Sequence, residues 1–154
     1  MTAVAQRLVE VATAEIGVRE ESRNGGKRVR EYQAATWLRP DAWPWCAAFV
    51  AWCLLESIQG NTGWRCRDAS AYGWEAWARK RGFQVLPETA PMLPGDLVTF
   101  DFSHIGIVVA DHGDTIETIE GNTNADGARE GDGVYRKMRA RRLIRAVIRI
   151  EEPS

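Results

Sequence analysis

Four side chains have the types and positions for hydrolytic chemistry: Cys46, His104, Glu120 and Asn122. A thiol attacks a carbonyl well only as thiolate, and an imidazole beside it is a common base for that ionisation. A polar group on the far ring nitrogen then fixes the imidazole's orientation and tautomer. The chain has three cysteines, at 46, 53 and 66, and two histidines. His112 sits in Asp111-His112-Gly113-Asp114, which reads as a solvent-facing hairpin turn. His104 precedes Ile105-Gly106-Ile107-Val108-Val109, which reads as a buried strand, and is the candidate base.

The elements that must position these groups follow from the pattern. Cys46, Phe49, Val50, Cys53 and Leu54 recur at i, i+3, i+4, i+7 and i+8, an apolar stripe at helical spacing. Pro44 marks the helix start, and Cys46 falls in the first turn. Unpaired backbone N–H groups and the positive end of the helix dipole lie there, and both favour a thiolate. Alone, Cys46 reads more readily as a small core residue; its pairing with a histidine is the more specific signal.

The hairpin places the base. A three-residue loop Asp111-His112-Gly113, with Gly113 left-handed, pairs Ala110 with Asp114. Counting back, Val108 faces Ile116, Gly106 faces Thr118 and His104 faces Glu120. Directly opposite residues share a face, and Asn122, two residues on, shares it too. A one-residue slip would separate His104 from Glu120. Packing the central helix on this face brings Cys46 over His104, with Glu120 or Asn122 holding the imidazole and Gly106 leaving room for a helix or substrate. A histidine buried against a glutamate without chemistry is the competing reading.

Composition sets the frame. At 154 residues the chain fits one domain, residues 1–154, with a sizeable core. A formal net charge of −1 gives no electrostatic case for nucleic acid. No apolar run reaches the length of a membrane span, and the N-terminal residues form an amphipathic helix ending at Gly17, not a secretory signal. Three cysteines without a C-x-x-C pair argue against a disulfide framework or zinc site; a Cys53–Cys66 bridge is open, with reduced buried thiols favoured. Trp43 and Trp45 flank Cys46 and are candidates to line a substrate groove.

Further helices are expected over about 27–36 and from a cap at Asp68 or Ser70 to about Lys80, the latter burying Tyr72, Ala76 and Trp77. Short β-rich runs follow at 97–102, 105–110, 115–121, 133–137 and 143–150. Helices first and strands afterwards predict an α+β fold with an antiparallel sheet of five to six strands. Arg136, Lys137, Arg139, Arg141, Arg142, Arg145 and Arg149 form a basic cluster, either the solvated face of edge strands or a contact to an anionic envelope surface.

The order Trp45-Cys46-Ala47-Ala48-Phe49-Val50, Pro94-Gly95-Asp96-Leu97-Val98, Ser103-His104-Ile105-Gly106-Ile107-Val108 and Ile119-Glu120-Gly121-Asn122 resembles that of CHAP domains. These are cysteine, histidine-dependent amidohydrolases/peptidases, a papain-like group found in phage endolysins and bacterial cell-wall hydrolases. The resemblance runs over about 24–150. It implies a CHAP fold with N-terminal helices on a C-terminal sheet, Cys46 as nucleophile, His104 as base, Glu120 orienting the histidine and Asn122 as a further site residue. It also implies peptidoglycan as substrate, cut at the N-acetylmuramoyl-L-alanine amide or within the stem peptide or cross-bridge.

Some relatives carry an acidic calcium loop before the cysteine. Here Arg39-Pro40-Asp41-Ala42-Trp43 has one carboxylate, too few for calcium, so no metal or other cofactor is expected. Neither a signal peptide nor a separate wall-binding domain is expected. The enzyme would then be made in the cytoplasm and reach the wall as a monomeric phage endolysin through a holin pore. Injection as an effector with an immunity partner, and a non-catalytic binding module, are the alternatives.

Overall fold

The computed structural model of the chain describes residues 2–126 and 131–153. Four helices come first: α1 (Ala3–Glu15), α2 (Lys27–Ala34), α3 (Cys46–Ser57) and α4 (Gly73–Arg81). Six strands follow: β1 (Gln84–Leu86), β2 (Leu97–Phe100), β3 (Ile105–Asp111), β4 (Thr115–Thr123), β5 (Gly133–Ala140) and β6 (Ile144–Arg149). All pair antiparallel in one sheet of order β1-β6-β2-β3-β4-β5. The α+β architecture is the one the sequence predicts. Strand β1 is additional; three residues are too few to establish a period.

Helix α3 is the centre of the helical layer. Cys46 to Ala51, Cys53, Leu54 and Ser57 are all buried, so the expected stripe widens to nearly the whole circumference. Helices α1 and α2 and strands β3 and β4 all pack on it. The N-cap is Trp45, whose φ of −123° and ψ of 21° are not helical. Cys46 is therefore the first helical residue, and Pro44 stands before the cap rather than inside the helix as expected.

Helix α4 is rotated from expectation. Trp74, Glu75 and Ala78 are buried, whereas Ala76 is exposed and Tyr72 and Trp77 are half-buried. Glu75 turns inward because its carboxylate accepts from Thr99 Oγ1 and Arg145 Nε, both at 3.0 Å. Ser70 Oγ accepts the Gly73 N–H at 3.3 Å, so the expected cap lies just ahead of the helix.

Strand alternation divides the sheet into two faces. Leu97, Ile105, Ile107, Ile119, Val134 and Ile148 join the core beneath the helices. Val98, Phe100, Val108, Ile116, Ile144 and Val147 form a smaller cluster on the other face. His104, Gly106 and Val108 share the phase of this second face. The central helix thus covers the opposite face from the one expected, because Ile105 and Ile107, not Gly106 and Val108, supply the apolar surface that α3 needs.

The β3–β4 register also differs from expectation. Ile107 pairs with Ile119 and Val108 with Thr118; past an irregularity at Val109, Ala110 pairs with Glu117 and Asp111 with Ile116. The expected Val108–Ile116 pairing is two residues away. The turn is His112-Gly113-Asp114, with Gly113 at the expected positive φ, +92°. Past the irregularity the offset is three residues, but on the His104 side it is two, which leaves those side chains on their expected face, so His104 and Glu120 still meet.

Candidate active site

His104 lies just before β3, where strand order gives way to loop, and Glu120 lies on β4. His104 Nε2 and Glu120 Oε1 are 2.8 Å apart, and both residues are fully buried. Gly106 is what admits the carboxylate: a Cβ there would stand 2.8 Å from Glu120 Cγ. The space it leaves is filled from within the protein, not by a helix or substrate.

Behind Glu120 stands Arg139 of β5, which the sequence places only in the basic cluster. Its Nε donates to Glu120 Oε2 at 2.9 Å and its Nη2 donates to Oε1. Thr118 Oγ1 also donates to Oε2. Burial would push this carboxyl up, but Arg139 and His104 outweigh it and hold it at about 2. The Arg139 guanidinium lies 5.2 and 5.3 Å from the ring centres of Phe100 and Phe102. Phe102 in turn stacks on the imidazole at 5.8 Å and 19°. The histidine is therefore fixed at one nitrogen and along one ring face.

The other nitrogen, Nδ1, is buried and has no aligned hydrogen-bond partner among the described residues. The Cys46 thiol interacts with this imidazole, whose Nε2 is already taken by Glu120. Burial pushes that thiol up, but the imidazole and the N–H groups of Ile105 and Ala47 prevail, leaving its pKa below the ordinary value. Cys46 thus reaches His104 at the beginning of β3 rather than across the sheet face. Burial opposes the imidazolium, but Cys46 and Glu120 raise the histidine to about 9. Catalytic contacts are often loose before substrate binds. The pair can share a proton as thiolate and imidazolium, the reactive state of a thiol hydrolase.

The other thiols differ. Burial pushes Cys53 well up and Cys66 up to about 12. All three cysteines are free, so no Cys53–Cys66 bridge forms.

The Asn122 amide takes partners other than the imidazole. It has a positive φ of 56°. With its amide turned to satisfy both ends, the oxygen accepts the Trp45 N–H and the nitrogen donates to the Gly131 carbonyl, each at 3.1 Å. It ties the residue before Cys46 to the end of β4.

Trp45 does not line a groove. It is fully buried, stacks on Tyr32 and donates its indole N–H to Glu20 at 2.8 Å. Trp43 does border the groove, a cavity of about 470 Å³ that reaches Cys46 and is walled also by Trp37, Leu38, Pro44 and Ser103. Trp37 is 73% exposed; its place on a loop of no periodicity hides it from pattern reading.

The basic cluster carries its own counter-charges. Arg136 pairs with Glu117, Arg139 with Glu120, Arg141 with Asp111, Arg145 with Glu75 and Arg149 with Asp96. Lys137 donates to the Asn124 and Ala125 carbonyls. Among the described residues no three His, Cys, Asp or Glu converge as metal ligands. The Asp41 carboxylate accepts the Ala42 N–H within its own turn.

An α+β scaffold thus sets a helix-leading thiol close to a carboxylate-held imidazole, the two groups that a nucleophile and its base require. Residues 38–122 match the CHAP domain, and the chain belongs to that family of cysteine, histidine-dependent amidohydrolases/peptidases. No curated protein sequence matches the chain. Two crystal structures share its fold. That of Ly7917 superposes with a TM-score of 0.50 at 18% identity, covering 96% of this chain and 62% of that one. That of Ly7917 with the hydrolyzing product of MDP gives a TM-score of 0.51 at 18% identity, covering 94% and 62%. The chain therefore spans less than two thirds of the length of either. No helix among the described residues is long and apolar enough to cross a membrane.

Proposed function

We propose that the protein hydrolyses an amide bond of peptidoglycan, at the N-acetylmuramoyl-L-alanine linkage or within the stem peptide or cross-bridge. The observation that carries this is the buried chain Cys46–His104–Glu120–Arg139, in which the thiol is depressed and the imidazole raised. Family membership supports the amide bond. The product named with Ly7917 supports a muramyl peptide as substrate.

In this mechanism Cys46 Sγ⁻ attacks the amide carbonyl carbon. The Cys46 N–H, one of the unpaired donors of the first turn of α3, faces the developing oxyanion. Protonated His104 gives its proton to the departing amine as the C–N bond breaks, leaving a thioester on Cys46. His104, now neutral, takes a proton from water. The hydroxide attacks the thioester, and the thiolate leaves with the imidazolium restored. Glu120 holds the ring throughout, and Asn122 holds the turn that presents Cys46. The setting proposed is wall lysis of the phage endolysin kind, which the family resemblance supports.

The test is mass spectrometry of purified peptidoglycan after digestion. New amino and carboxyl termini should appear with the parent chain and be absent with Cys46→Ala. Equal release by Cys46→Ala would end the proposal.

A further inference from the structure

A second cavity, of about 580 Å³, adjoins the groove at Cys46. Trp37 and Asp68 wall both. Four cationic side chains line it: Arg65, Arg67, Lys80 and Arg81. In a chain of net charge −1 this is a strong local concentration of positive charge, and it differs from the basic strands, whose cations are mostly ion-paired. Among the described residues none of these four makes an ion pair. Arg65 has a 3.4 Å contact to Thr62 Oγ1, and Arg81 has one of the same length to the Gly63 carbonyl. Arg67 lies over the Trp37 ring, 4.1 Å from its centre.

Two features show that the charge is uncompensated. The Nε–H groups of both Arg65 and Arg67 are buried without a hydrogen-bond partner among the described residues. Such donors cost free energy unless something fills the space before them. Burial, and then the neighbouring Arg67, pull the Arg65 guanidinium below its ordinary pKa. The one carboxylate of the cavity, Asp68, is committed elsewhere. Its Oδ1 accepts the Ser70 N–H at 2.8 Å and the Ser70 hydroxyl at 2.7 Å, and a Cβ on Gly73 would stand only 2.0 Å from its Oδ2.

We propose that this cavity is a subsite for a carboxylate of the substrate peptide, seated between Arg65 and Arg67 while the scissile amide lies at Cys46. The planar guanidinium fork suits a carboxylate, and Trp37, shared by both cavities, covers the peptide backbone between them. The inference rests on the amide-hydrolase reading and names which muramyl peptides the site prefers: those with free, not amidated, carboxylates.

The probes are two synthetic muramyl tetrapeptides, one with free carboxylates and one with the same carboxyls amidated. Binding to Cys46→Ala and turnover by the parent are both measured. The free acid should bind about tenfold tighter or more, the preference should appear in KM rather than kcat, and it should shrink as salt rises. In Arg65→Gln/Arg67→Gln the free-to-amidated ratio should fall toward one, with the fold checked by circular dichroism. Equal binding of the two probes to Cys46→Ala overturns the subsite without any cavity variant. So does a ratio that survives the double substitution. Preferential binding of the acid without turnover by the parent would overturn the hydrolase reading and leave the subsite standing.

Discussion

Replacing Glu120 by Gln removes one charge and little volume from the most buried part of the site. In the parent the His104 imidazolium is favoured up to about 9, against burial, by Cys46 and Glu120. An opposite charge at contact moves a pKa by about 1–3 units. Arg139 already draws on the same carboxylate, so the lower part of that range applies, about 1–2 units. The thiolate–imidazolium pair titrates as a unit, and its competent form is bounded by the low thiol limb and the high imidazole limb. Glu120→Gln should therefore bring the alkaline limb of kcat/KM down from near 9 by about 1–2 pH units, raise the acid limb, and narrow the bell from both sides.

Stability follows with a fixed sign. The raised His104 contributes stability fully present below its unfolded pKa and lost as pH rises through about 9. The depressed Glu120 contributes stability present above its unfolded pKa and lost as pH falls through about 2. Glu120→Gln forfeits both and leaves Arg139, 7% exposed, without its counter-charge, at a cost of about 3–5 kcal/mol. Arg139→Met in the same chain should recover much of that loss in a thermal melt without restoring the alkaline limb. Steady-state kinetics from pH 5 to about 10 on a soluble muramyl peptide reads the effect. An alkaline limb unmoved in Glu120→Gln would refute the reasoning and leave Glu120 as an anchor for Arg139 alone.

Three further outcomes are expected. Iodoacetamide at neutral pH should label Cys46 first, because its thiol is lowered and borders the groove whereas those of Cys53 and Cys66 are raised; peptide mapping that finds Cys66 labelled as fast would contradict the thiolate. Gly106→Ala should cut kcat by about 10²-fold and lower stability by about 1–3 kcal/mol, since its Cβ drives the buried Glu120 off His104; unchanged kcat in the folded variant would show that the carboxylate contact is dispensable. Asn122→Gly keeps the positive φ but orphans the Trp45 N–H, so about 1–3 kcal/mol of stability should go, with kcat falling as Cys46 loses its seat; a melt like the parent's would count against that tie.

Period alone carries far in this chain. The 3.6-residue stripe from Cys46 to Leu54 specifies a buried helix led by a thiol, and the period-two alternation after His104 specifies which residues share its face. That is why His104 and Glu120 are legible as partners although the expected register is two residues off: side-chain face depends only on parity. The placement of the turn and the irregularity at Val109, which together set the true register, are local choices with no periodic trace. Which sheet face α3 covers was likewise settled by tertiary packing, through Ile105 and Ile107. Trp45 looked like a groove residue because it adjoins Cys46, yet a non-helical cap turns it into the core. Arg139 is one arginine among several on the C-terminal strands, and only strand pairing with β4 makes it the counter-charge of a buried glutamate. The sequence thus determines the reactive residue types and the faces they occupy, because local periodicity is a property of the chain. The tertiary structure decides register, the meeting of Cys46 with His104 at the strand's beginning, and the ion pair behind it, because those contacts join segments whose separation along the chain leaves no local signal.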